Sequence, residues 1–238
     1  MVSFLRKKST PSMPRGIIYG DPGSRKSTFG ASIPDSIIID CENSLTNINT
    51  PHKTDHQKTW LETERTLKSI LNEKHDYKVV VIDTIDWLLQ SIELHVSGVT
   101  AGEVDKTINK SHGGFGNGYQ VLKNYVYQKL FPIFNALTEK GITVIMLAHT
   151  QQSKISTNGV EAVKIVPNLP ERLLNIIIEW VDFIFLIRKT PQGKYKLITT
   201  PQGNIVAKNR YRITNDLDFD WGSVSRALQD GINKEFKL

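Results

Sequence analysis

The chain has 238 residues, 39% of them hydrophobic and 23% charged, enough to bury the core of one large α/β domain. No apolar run approaches the roughly 20 residues of a membrane span, and the basic residues near the N-terminus follow the apolar ones, the reverse of a secretion signal, so a cytoplasmic protein without a membrane partner is expected. The single cysteine, Cys41, excludes an internal disulfide and a multi-cysteine metal site, and much of the formal net charge of +6 falls in one acid-free stretch, Arg188, Lys189, Lys194, Lys196, Lys208, Arg210 and Arg212, which fits either a polyanion partner or a solvated basic face.

Residues 1–14 are polar and rich in Ser, Pro and Lys and read as a loose arm; residues 15–238 read as one domain. That domain begins with the apolar strand Gly16–Tyr19, followed by Gly20, Asp21, Pro22, Gly23, Ser24, Arg25, Lys26 and Ser27, and a helix starting at Thr28. Strand, glycine-bearing loop and helix in this order match a P-loop, G-x-x-x-x-G-K-[ST], at seven of eight positions. Unpaired backbone N–H groups and the positive end of the helix dipole meet at such a loop and suit the phosphates of a nucleotide. Residues 20–28 are the predicted nucleotide-binding segment, with the Lys26 charge on the β- and γ-phosphates and the Ser27 hydroxyl on Mg²⁺. Arg25 is the departure, standing where the second glycine is expected. Its side chain must either point away, at some cost in strain, or fold onto the phosphates, and the altered loop predicts slow hydrolysis.

The helix after the loop should be short because Pro34 cannot continue it. Ser36–Asp40 is a buried strand ending in an acid, with Asp40-Cys41-Glu42-Asn43 at its carboxyl end; Cys41 reads as a small core residue there. A loop over 46–58 and a helix over about 59–74 lead to Lys78–Asp83, four aliphatic residues capped by a carboxylate. Downstream of a P-loop this is the Walker B pattern, in which Asp83 meets the Mg²⁺ held by Ser27. A helix over 86–96, a Gly- and Lys-bearing loop over 97–118, and a helix over 121–140 interrupted at Pro132 and stopped at Gly141 come next. Ile142–Ala148 is a third buried strand, ending at His149, and 150–168 read as a polar loop. A helix over 169–180 and a strand over 181–187 precede two Thr-Pro-Gln-Gly turns, at 190 and 200, read as hairpins joining strands 195–199 and 204–207. Asp220 caps a last helix expected to stop near Gly231.

Four pieces, the P-loop, Ile39–Leu45, the Walker B strand and Val206-Ala207-Lys208-Asn209-Arg210, resemble the RecA-type ATPase core, and among such proteins the small phage single-strand annealing and recombination ATPases. The resemblance covers about 15–212 and implies a mainly parallel sheet with helices on both faces and a C-terminal antiparallel hairpin. It implies an ATP- and Mg²⁺-dependent ATPase that binds single-stranded DNA as a homo-oligomer, ring or filament, in the cytoplasm of a phage host, with a single-strand DNA-binding protein as a further partner. Glu42 would polarise the attacking water, and His149, where RecA has Gln, would sense the γ-phosphate from the strand between the P-loop and Walker B strands. Lys208 and Arg210 would act across a subunit boundary on the neighbour's nucleotide; their i, i+2 spacing puts both on one strand face. Loops 97–118 and 150–168 would carry the DNA, through Lys106, Lys110 and Lys154 on phosphates and Phe115 stacked on a base. A nucleotide-gated helicase loader or adaptor with slow turnover is the alternative. As plain chemistry, Glu42 also fits a salt-bridged acid, His149 a satisfied strand-end histidine, and Lys208 and Arg210 solvated edge charges.

Overall fold

A computed structural model describes residues 11–50, 52–99, 107–157 and 160–236. Five strands run parallel: β1 (Arg15–Gly20), β2 (Ser36–Asp40), β3 (Val79–Asp83), the first part of β4 (Thr143–Thr157) and β6 (Phe183–Lys189). With β7 (Tyr195–Ile198) and β9 (Leu217–Asp218) added antiparallel, the order is β2-β3-β4-β1-β6-β7-β9. The P-loop strand β1 is therefore central, and β4 separates it from the Walker B strand β3. The central strands are aliphatic without alternation because helices cover both faces of the sheet.

One face packs Ile18, Val81, Leu147, Phe183 and Phe185 against α1 (Lys26–Ala31) and α7 (Trp221–Phe236). The other packs Ile17, Tyr19, Val80 and Ile82 against α2 (Trp60–Asn72), α3 (Ile85–Ser97), α4 (Asn117–Tyr125), α5 (Phe131–Glu139) and α6 (Glu171–Trp180). Thr59 starts α2 with a capping box, its side chain accepting from Glu62 N–H while the Glu62 side chain accepts from Thr59 N–H. Pro132 has no N–H to give, and the preceding turn, Val126–Leu130, is widened to a π-turn that joins α4 to α5.

Three expectations need correction. The segment 150–168 is not a loop through most of its length: β4 continues past His149 to Thr157 and turns back antiparallel as β5 (Val160–Pro167), pairing Thr150 with Pro167 through Thr157 with Val160. The backbone groups of this polar segment are met by the pairing with β5, which lets a stretch of Gln, Ser, Lys and Thr extend as a strand beyond the core. The second Thr-Pro-Gln-Gly closes a tight antiparallel turn, Ile205 N–H donating to Gln202 O at 2.9 Å, but the chain after it does not return to pair with 195–199. After it the chain crosses to β5, where Ile165 N–H donates to Asn204 O at 2.8 Å and Val206 N–H to Ile165 O at 3.0 Å, before Lys208–Asn209 (β8) pairs with β6. The buried Tyr19 hydroxyl fastens this crossing, donating to Val206 O at 2.7 Å. Finally, α7 runs through Gly231 to Phe236. Gly231 is there for close approach, since a Cβ would stand 2.4 Å from Tyr211 Cβ and 2.7 Å from its carbonyl oxygen.

Candidate active site

Parallel pairing brings the carboxyl ends of four strands together, placing Gly20 beside His149 and Asp83 beside both Asp40 and Leu147. Helix α1 opens directly from the P-loop, with Phe29 N–H donating to Arg25 O at 2.9 Å. Arg25 adopts the left-handed conformation, φ 66°, that a glycine would take without strain. Its guanidinium lies over the Tyr195 ring, 5.4 Å from the centroid. Asp21 accepts from the Thr150 hydroxyl, which ties the loop to the base of the β4–β5 hairpin. Lys26 is 6% exposed and folds back on the loop, its ammonium donating to Gly20 O at 3.0 Å and Asp21 O at 3.2 Å. Burial lowers its affinity for a proton, while Glu42, Asp86, Asp83 and Asp21 act in the opposite sense.

Residues 40–44 form a turn rather than an extended loop tip. Asp40 Oδ1 accepts from the N–H groups of Asn43 at 2.7 Å and Ser44 at 3.3 Å, and Glu42 N–H donates to Asp83 O at 3.2 Å. The turn aims Ser44 at Asp83, whose Oδ2 accepts its hydroxyl at 2.9 Å; Ser44 Oγ also lies 3.3 Å from Ser27 Oγ. Asp83 is fully buried and its Oδ1 has no partner. Burial pushes its carboxyl up to about 6, against the pull of the Ser27 and Ser44 hydroxyls. Cys41 is buried at the strand end, as expected of a small core residue.

Glu42, His149 and the P-loop residues Pro22, Gly23 and Lys26–Thr28 share a cleft of about 410 Å³. His149 Nε2 lies 3.5 Å from Glu42 Oε1, and its Nδ1 lies 2.7 Å from Asp86 Oδ2. Asp86, in the first turn of α3, and Ser44 are the site residues that motif reading missed. The only signals were a second acid three positions after Asp83 and a hydroxyl two positions after Glu42.

Lys208 and Arg210 stand elsewhere. Their strand pairs with Phe183 and Ile184, level with Gly16 and Ile17 and so toward the amino-terminal edge of the sheet. Both close the C-terminal end of α6: Lys208 Nζ donates to the carbonyls of Ile178 (2.7 Å), Glu179 (2.9 Å) and Val181 (2.7 Å), and Arg210 to Glu179 O and Asp182 Oδ1, each at 2.9 Å. They are neither free edge charges nor part of this chain's own phosphate cleft. Lys110 and Phe115 are exposed on the segment before α4, and Lys154 is exposed on the β4–β5 hairpin. Lys106 lies outside the described residues.

The family model AAA_24, an AAA domain, matches residues 12–211. The chain belongs to this family. It is an AAA-type P-loop ATPase, with a nucleotide-binding core spanning β1 to the residues just after β8. No curated protein matches it. No helix among the described residues of this AAA domain is long and apolar enough to cross a membrane.

Proposed function

We propose that this AAA domain binds and hydrolyses ATP with Mg²⁺, and that it binds single-stranded DNA as an oligomer in annealing or recombination, for a phage. The partnerless, buried Asp83 Oδ1 beside the Ser27 and Ser44 hydroxyls fits a hard cation of oxygen-only preference. Among the described residues no cluster of three His, Cys, Asp or Glu side chains could hold a metal, so Ser27 and Asp83 would hold Mg²⁺ together with the phosphates. The cation would neutralise phosphate charge. The protein's own groups do the rest. Lys26 turns its ammonium from the loop carbonyls to the β- and γ-phosphates, Glu42 takes a proton from the attacking water, and His149 contacts the terminal phosphate.

The observation that carries the DNA reading is the length of β4. One strand runs from Thr143 through His149, at the nucleotide cleft, to Lys154 on the exposed hairpin, five residues or roughly 17 Å of extended chain further on. A change in His149 on nucleotide binding has a stiff, hydrogen-bonded route to the hairpin. Lys154 on that hairpin, and Lys110 and Phe115 before α4, supply the charges and the aromatic ring that a single strand requires.

The test is ATP hydrolysis with and without single-stranded DNA, for wild type and for Glu42→Gln. Stimulation by DNA, and a loss of about 10²-fold or more in Glu42→Gln with ATP binding retained, are expected. Hydrolysis indifferent to DNA, with no DNA binding in the presence of ATP, would favour the nucleotide-gated loader or adaptor.

A further inference from the structure

Asp86 belongs to none of the motifs that mark the site, yet it is the residue that grips His149. Its side chain is only 10% exposed and reaches His149 twice: Oδ2 lies 2.7 Å from Nδ1, and Oδ1 accepts the His149 backbone N–H at 3.4 Å. A ring held at one nitrogen by a carboxylate that also binds its own backbone cannot flip without breaking the 2.7 Å contact. Nδ1 donates to Asp86, and the opposite nitrogen is left facing Glu42 at 3.5 Å. A bare Nε2 would present a lone pair to that carboxylate; a protonated one donates to it. Asp86, Glu42 and Lys26 are the charged groups facing the ring. The hydrogen bond that the ring gives to Asp86 is the largest influence and raises the imidazole's affinity for a proton, Glu42 adds to it, and burial and Lys26 oppose it.

Given the assignment of Glu42 and His149 to hydrolysis, on which this rests, we infer that Asp86 is a positioning residue: through Nδ1 it aims His149 Nε2 at Glu42 and the phosphate cleft, and keeps that nitrogen a donor. Before nucleotide binds, the Nε2–H engages Glu42. A terminal phosphate entering the cleft competes for the same hydrogen, and Glu42 is freed to face water. Asp86 thus links the arrival of the phosphate to the release of the base, although it touches neither.

Asp86→Asn keeps the shape of the side chain and removes its charge. In protein without added nucleotide, the His149 ring titration followed by NMR should move to lower pH than in wild type. In steady state, kcat should fall about tenfold or more while KM stays within about twofold, and the alkaline limb of the kcat profile should move to lower pH. Asp86→Asn/His149→Ala should be no slower than His149→Ala alone, a result that general loosening of the fold would not produce. An unmoved His149 titration, or a raised KM with kcat intact, overturns the inference. A slowed Glu42→Gln beside a full-speed Asp86→Asn defeats the positioning role alone. Turnover that survives Glu42→Gln unchanged defeats the hydrolytic reading and the positioning role with it.

Discussion

Asp86 Oδ2 stands 2.7 Å from His149 Nδ1, joining the first turn of α3 to the strand that separates the P-loop from the Walker B carboxylate. The contact raises the His149 proton affinity above its ordinary value of 6.5. The folded chain therefore binds a proton more tightly than the unfolded one, and the contact's contribution to stability is complete below pH 6.5 and lost as pH rises through the higher, folded-state value. Denaturant midpoints measured from pH 6 upward should fall more steeply for wild type than for Asp86→Asn. Parallel slopes would mean that the ion pair does not form in solution.

Lys26→Ala should weaken ATP binding by roughly ten- to a hundredfold, the scale of a lost hydrogen bond to a charged group. Among the described residues the ammonium donates to Gly20 O and Asp21 O, both within the loop itself. Neither bond joins elements distant in the chain, so the circular dichroism spectrum should be unchanged. Calorimetric titration with ATP gives the answer directly, and undiminished affinity would remove Lys26 from the phosphate site.

Arg25→Gly relieves a left-handed backbone that costs a side-chain-bearing residue about 1 kcal/mol, and removes a guanidinium–Tyr195 contact of about 0.5–1 kcal/mol. The two nearly cancel, so the melting temperature should barely move. Turnover should rise severalfold, because the loop then approaches the phosphates without the side chain. Slower turnover or weaker ATP binding would identify Arg25 as a phosphate ligand.

Lys208→Ala should destabilise the fold by about 1–3 kcal/mol, since all three donors of the ammonium are spent on carbonyls that end α6. Equilibrium denaturation measures this. A loss of ATPase activity without any loss of stability would instead point to action on a neighbouring subunit's nucleotide, which would require these three bonds to open.

The sequence alone determined the parts of this protein that depend on neighbours along the chain. The P-loop was legible because strand, turn and helix start follow one another within about a dozen residues, and β2 and β3 because a strand covered on both faces must be aliphatic throughout. Glu42 and His149 were named from the resemblance, and strand pairing sets both at the carboxyl end of the sheet, Glu42 just past β2 and His149 beside Gly20. Tertiary structure decided what residues distant in the chain do together. Asp86 and His149 are 63 positions apart and meet because β4 inserts between β1 and β3, a matter of strand order that no local pattern records. The 150–168 segment became a hairpin because its two halves satisfy each other's backbone groups, and α7 passed Gly231 because Tyr211 needed the space a side chain would fill. Lys208 and Arg210 looked free in the sequence because the carbonyls that take their hydrogens belong to the end of a helix some thirty residues earlier. Backbone carbonyls carry no signature in a side-chain pattern, so only the packing of β8 beside α6 could reveal them.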